Sequence, residues 1–260
     1  MTKKVLTILL TALLFLSVVA LGGSTVFRVD DVVINATIVS EDSEMNATQL
    51  KEELAAFYKG KSILFVKQKD VASIIEKYPY FRVTDFEKSF PDKIVLTVEE
   101  EAEVYAVEKT DGGYYVLGET GAILEIRNSS QNRLDGERNV VVKGLSLSGD
   151  KGGYLSGDSC WNSMFQLCKT MHETLGGIRS NVLSVEVLSR SPETFYLITM
   201  REGVKIYVGN PSAMTEEKAR KAMNEYMALS NEQRMTGRLT VRDAEGEVLV
   251  GYSLEDEFEY

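Results

Sequence analysis

Apolar residues along the chain alternate between two periods, and the switches mark the elements. From Val32 to Val39, "VVINATIV" has strand composition with partial alternation. "SEDSEMN" follows as a polar connection, and Asn46 with Gln49 three residues on resembles a capping box. Leu50, Leu54, Phe57 and Tyr58 then fall on one face of a helix, with Gly60 placed to end it. Val71, Ile74, Ile75 and Tyr78 mark a second short helix stopped by Pro79. "YFRVTDFEKSF" and "DKIVLTVEE" read as two strands of a hairpin around "SFPD". The order up to about Glu100 is therefore β-α-α-β-β.

Beyond Glu101 the pattern is richer in strands. "YYVLGETGAILEI" predicts two strands joined by a glycine turn, and "NVVVKGL" a short one. Trp161, Met164, Phe165, Leu167, Cys168 and Met171 are spaced for a helix closed by Gly176 and Gly177. "VLSVEVLS", "TFYLITM" and "VKIYVG" predict three consecutive strands, the last two joined through "REG". "TEEKARKAMNEYMAL" predicts a helix capped by Thr215. Ala219, Ala222, Met223 and Tyr226 form its buried face. "GRLTVRD" and "EVLVGYSL" close the pattern as two more strands before the acidic end "EDEFEY". The class is α+β, with no internal repeat.

One stretch breaks the globular pattern. Val5 to Leu21 carries no charge, with Lys3 and Lys4 before it and Asp30 and Asp31 after it. A spanning helix needs about 20 mostly apolar residues. The expectation is an N-terminal transmembrane helix over 5–26 behind a cytoplasmic tail, 1–4, with the bulk of the chain extracytoplasmic by the positive-inside rule. A cleaved signal peptide, cut near Ala20 and Gly22, is the rival reading. The formal net charge of −10 argues against nucleic acid or anionic lipid heads as partners, because such a surface repels phosphates.

Candidate chemistry is sparse. Glu99, Glu100, Glu101 and Glu103 cluster at the end of a predicted strand. Successive strand residues face opposite ways, so they do not converge as a calcium cage would require. They are expected to be the solvated end of a strand. His172 is the single histidine and has no nucleophile placed near it in the sequence. Cys160 and Cys168 fall on one predicted helix about 12 Å apart, beyond the ~7 Å reach of a disulfide, so both are expected as free thiols. "GLSLSGD", Gly144 to Asp150, mimics a phosphate loop but puts Asp150 where the lysine belongs. Asn35, Asn46 and Asn128 sit in incidental glycosylation sequons. No HExxH, CxxC or GxSxG occurs. No catalytic, cofactor or metal residue is assigned, and the expected function is non-enzymatic. The two C-terminal strands are candidates for an exposed sheet edge, which offers unpaired backbone groups to an incoming strand. That both are interior core strands stays open.

Three stretches carry a family resemblance: "FRVDDVVINATI" after the apolar leader; "YPYFRVTDFEKSFPDKIVLTVEEEAEVYAV" with "GGYYVLGETGAIL"; and "VKIYVGNPSAMTEEKARKAMNEYMAL" with "GRLTVRD". In order and spacing they resemble the FtsQ/DivIB family of bacterial division proteins over almost the whole chain. Glu100 and Glu101 depart from the family pattern, which often has a basic residue there, as does Gly118, where Asp is common. The resemblance implies a single-pass membrane anchor at 5–26, a POTRA domain at 27–100, a mixed strand-rich domain with two helices at 101–252 and an acidic tail at 253–260. It implies a divisome scaffold in the cell membrane at the division septum. Its implied partners are FtsL-like and FtsB/DivIC-like proteins and the septal transpeptidase machinery, and it helps organise septal peptidoglycan synthesis. The implied partner-binding residues lie in the last two strands: Arg238, Leu239, Thr240, Val241, Arg242, Val248, Leu249, Val250 and Tyr252. The alternatives are a POTRA-bearing envelope assembly or export component, and a secreted hydrolase.

Overall fold

The computed structural model describes residues 8, 10–14, 16–17, 27–189 and 193–255. They divide into two units, Met1–Glu101 and Ala102–Tyr260. The α+β class holds, but the expected transmembrane helix does not. Within 5–26 the described residues, Ile8, Leu10 to Leu14, Leu16 and Ser17, are helical. Among the described residues no helix is long and apolar enough to cross a membrane. The single-pass placement is corrected with it. The expected cleavage site at Ala20 and Gly22 lies outside the described residues, as do residues 256–260 of the acidic tail.

The first unit runs β1 (Asp31–Thr37), α1 (Glu41–Tyr58), α2 (Gln68–Ile75), β2 (Phe81–Ser89) and β3 (Lys93–Glu100). Its sheet order is β1-β3-β2, with β1 parallel to β3 and β2 antiparallel to it. In β3 the alternation predicted from sequence puts Ile94, Leu96 and Val98 into the core. Leu50, Leu54 and Tyr58 of α1 cover that face, one helical turn apart. Each buried leucine contributes about 1.5–3 kcal/mol relative to exposure. The helix starts earlier than the Asn46 box suggested. Ser40 is the N-cap, its Oγ accepting from the Ser43 N–H at 3.2 Å, and the "connection" supplies Glu41, Asp42 and Glu44 to the first turn. Those carboxylates favour the positive end of the helix dipole.

The second unit is a nine-stranded mixed sheet of order β12-β11-β10-β9-β8-β7-β4-β5-β6. Its strands are β4 (Glu103–Glu108), β5 (Tyr114–Gly118), β6 (Ile123–Arg127), β7 (Val140–Lys143), β8 (Val182–Ser189), β9 (Phe195–Met200), β10 (Lys205–Gly209), β11 (Arg238–Ala244) and β12 (Glu247–Ser253). The pairs β4–β7, β7–β8 and β10–β11 are parallel, and the rest are antiparallel. Two long helices, α3 (Trp161–Leu175) and α4 (Thr215–Ala228), bury their apolar stripes in the same core as Tyr196, Ile198, Ile206, Val208, Leu239 and Val241. Thr215 is the first helical residue rather than the cap, which is Met214. A five-residue helix, α5 (Asn231–Met235), was not anticipated, although Ser230 and Gln233 form its capping box. The β9–β10 turn needs Gly203: its φ is +126°, and a Cβ there would lie 2.6 Å from the Met235 carbonyl oxygen.

Candidate functional site

The sequence placed partner binding on β11 and β12, and the sheet separates the two. Strand β11 is interior, bonded to β10 on one side and β12 on the other. Its backbone is paired on both sides from Arg238 to Val241, so Arg238, Leu239, Thr240 and Val241 cannot receive a strand, while Arg242 lies just past the stretch paired with β10. Leu239 and Val241 are fully buried core residues, while Arg242 is exposed on the opposite face. Strand β12 is the terminal strand, with no further strand paired on its outer side among the described residues. Register pairs Leu239 with Tyr252, Val241 with Val250 and Asp243 with Val248, so these β12 side chains face inward. Leu249 alternates outward and is 53% exposed.

Helix α4 fastens this end of the sheet. Lys221 Nζ donates to the Val248 carbonyl at 3.0 Å. Lys218 is wholly buried, and its Nζ donates to the Gly209 and Asn210 carbonyls at 2.9 and 2.7 Å and to the Asp243 carboxylate. The Lys218 hydrogen bond holds the Asp243 carboxyl below its ordinary range. Sequence reading missed Lys218, although its spacing to Ala222 and Tyr226 carries the i, i+4, i+8 signal. Beside the end of β12 lies a cleft of about 560 Å3, lined by Ser230, Glu232, Gln233, Thr236, Tyr252 and Leu254. Tyr252 Oη donates to the Thr236 carbonyl across it at 3.1 Å.

The glutamates do not behave as one solvated group. Glu99 pairs with Arg82 at 2.8 Å on an open surface. Glu100 reaches the start of α1, accepting from the Val39 and Ser40 N–H groups at 2.8 and 3.0 Å and from Ser40 Oγ at 2.7 Å. Glu103 is 2% exposed. Its two oxygens accept a fork from Arg127 at 3.0 and 2.6 Å, together with the Arg133 N–H at 3.2 Å and Asn139 Nδ2 at 3.3 Å. Asn132 Nδ2 closes the network on the Glu103 carbonyl and on Asn139 Oδ1. This is a structural ion pair that ties β4 to β6 and to the 130–139 hairpin. The solvated-strand expectation is corrected for Glu100 and Glu103.

No family model matches the chain, and no curated protein matches it. The FtsQ/DivIB likeness therefore rests on the motifs and the element order alone.

The sites set aside at the start have these surroundings. His172, in the last turn of α3, lies 3.7 Å from Glu119, and among the described residues no serine or cysteine nucleophile is bonded to it. Cys160 and Cys168 are free, and burial pushes the Cys168 thiol up to about 12, which leaves it protonated and unreactive at neutral pH. Among the described residues no group of three or more His, Cys, Asp or Glu side chains is placed to hold a metal ion.

Proposed function

We propose that this chain is a non-enzymatic scaffold of bacterial cell division that receives a partner strand of the FtsB/DivIC type along β12. The observation that carries the reading is the outer edge of the nine-stranded sheet, formed by the strand where the resemblance puts partner contacts. A seven-residue edge offers backbone donors and acceptors in register, and alternate side chains supply selectivity. Leu249 is exposed on the sheet face opposite the core as an apolar contact beside that edge, and the cleft at Tyr252 and Leu254 offers a socket for a partner side chain. The opposite edge, β6, is less available. Ile123 already exchanges backbone bonds with Gly152 and Gly153, and Ala122 bridges Tyr154. The order β1-α1-α2-β2-β3 in the first unit supports the same family reading, since it is the order of a POTRA domain.

Depletion tests the role, and complementation tests the surface. Depleted cells should form filaments lacking septa. Wild-type protein should restore division, whereas Leu249→Lys, which alters an exposed side chain on the edge, should fold normally and fail to restore it. Normal septation after depletion would overturn the division role. Full rescue by Leu249→Lys together with Gly251→Pro would overturn the edge as the docking surface.

A further inference from the structure

A second cleft of the β-rich unit has the wrong charge for an acidic protein. Its volume is about 540 Å3, and it is lined by Gln131, Gly136, Glu137, Arg138, Ser180 and Arg201. Backbone hydrogen bonds hold the walls. In the 130–139 hairpin the Asn139 N–H donates to the Ser130 carbonyl at 3.0 Å, Asn132 N–H to Glu137 at 2.6 Å and Gly136 N–H to Asn132 at 3.0 Å. Arg201, in the β9–β10 turn, spans the cleft. Its Nε donates to the Arg179 carbonyl at 2.7 Å and its Nη2 to the Arg138 carbonyl at 2.7 Å.

Those two bonds fix the plane of the Arg201 guanidinium but use only two of its five N–H groups. They satisfy carbonyls and neutralise nothing. Arg179 beside it is paired with Asp135, whereas among the described residues no carboxylate pairs with Arg201 or Arg138. Two guanidinium groups against the single Glu137 leave the lining with one net positive charge in a chain whose formal net charge is −10. A pre-oriented, uncompensated guanidinium in a polar cleft is the arrangement that binds planar oxyanions through paired hydrogen bonds.

We propose that this cleft binds a carboxylate carried on a peptide. The fork of Arg201 takes the carboxylate, Arg138 adds the second positive charge, and Gln131 and Ser180 offer hydrogen bonds to the adjoining amide. One net positive charge matches a monoanion, while Glu137 in the lining opposes a phosphate dianion. The inference is independent of the division reading, since it involves neither β12 nor the edge it forms.

Titration of the full chain, followed by amide chemical shifts, tests it with three probes: N-acetyl-triglycine, its C-terminal amide, and inorganic phosphate. The free acid should shift resonances of the 130–139 hairpin and the β9–β10 turn. The amide should bind about tenfold more weakly or less, the size of one charge-assisted hydrogen bond. Arg201→Gln and, on an exposed position, Arg138→Gln should each weaken the acid, while Glu137→Gln should tighten it. Equal binding of acid and amide, phosphate binding ahead of the acid, or no shifts in the cleft with any probe would each overturn the proposal.

Discussion

Removing the Glu103 carboxylate should unfold the β-rich unit several degrees early. In Glu103→Ala, the Arg127 guanidinium loses its bidentate partner, and the Arg133 N–H and Asn139 Nδ2 lose their acceptor in a region where Glu103 itself is 1% exposed at the side chain. Breaking a buried pair from one side costs about 3–5 kcal/mol. Arg127 is 18% exposed and keeps Glu125 at 2.9 Å, which points to the lower end, about 3 kcal/mol. For a domain of this size that lowers Tm by roughly 6–12 °C. Trp161 is the single tryptophan, is buried, and belongs to this unit, so its fluorescence reports the unit's unfolding without contribution from the other. The double variant Glu103→Leu, Arg127→Met removes both charges. It leaves the Arg133 N–H and Asn139 Nδ2 without their acceptor, at about 1–3 kcal/mol each, and takes Arg127 from Glu125 and the Ser129 and Gln131 carbonyls, but strands no buried charge, so it should cost less than the sum of the single changes. A fall in Tm below about 2 °C for Glu103→Ala, or strict additivity in the double-mutant cycle, would refute the buried ion pair.

Two further outcomes concern the first unit, which has no tryptophan and is best followed by calorimetry or amide exchange. Burial alone would raise the Glu100 carboxyl, but hydrogen bonds from the Ser40 hydroxyl and the Val39, Ser40 and Ser43 groups outweigh it and hold the pKa below its ordinary 4.5. The stabilisation is therefore complete above about pH 4.5 and is lost as pH falls through the lower folded value; Glu100→Gln should weaken the unit at pH 7 and flatten that acid limb, and an unchanged pH profile would count against the cap. Tyr58 Oη is buried with no hydrogen-bond partner among the described residues, and burial pushes its pKa up to about 12. Tyr58→Phe should therefore be neutral or stabilise the unit by up to about 1 kcal/mol, and a clear loss of stability would show that the hydroxyl has a partner.

Most elements were legible because periodicity survives in single residues. Ile94, Leu96 and Val98 alternate into one core, and Leu50, Leu54 and Tyr58 repeat every helical turn into the same core. Boundaries were less legible where polar residues do two jobs. "SEDSEMN" reads as a loop because serine, aspartate and asparagine favour turns, yet the same residues favour a helix's first turn. The deciding contact is Glu100, sixty residues away, which bonds the Ser40 N–H and hydroxyl. The leader is a separate case: charge-free composition is necessary for a spanning helix but does not make one, and among the described residues no helix is long and apolar enough to cross a membrane.

The candidate site divides along the same line between local and non-local information. Whether either of the last two strands is an edge stayed open in the sequence; the answer depends on β10 lying parallel to β11, a pairing that joins strands across an intervening helix and leaves no local signature. The glutamates make the same point with charge. Glu101 and Glu103 are two residues apart and share one composition, yet Glu103 is buried because Arg127, Asn132 and Asn139 arrive from β6 and the following hairpin to compensate it. Arg201 is the converse case. Its guanidinium is oriented by backbone carbonyls and meets no carboxylate among the described residues, so its direction is fixed without cancelling its charge. A buried ion pair whose groups cancel each other contributes specificity to the fold. A cation held in place and left uncompensated on a cleft wall contributes nothing comparable to the fold and favours an anion from outside. That contrast separates the two arginine clusters of the β-rich unit into a structural one at Arg127 and a binding one at Arg201.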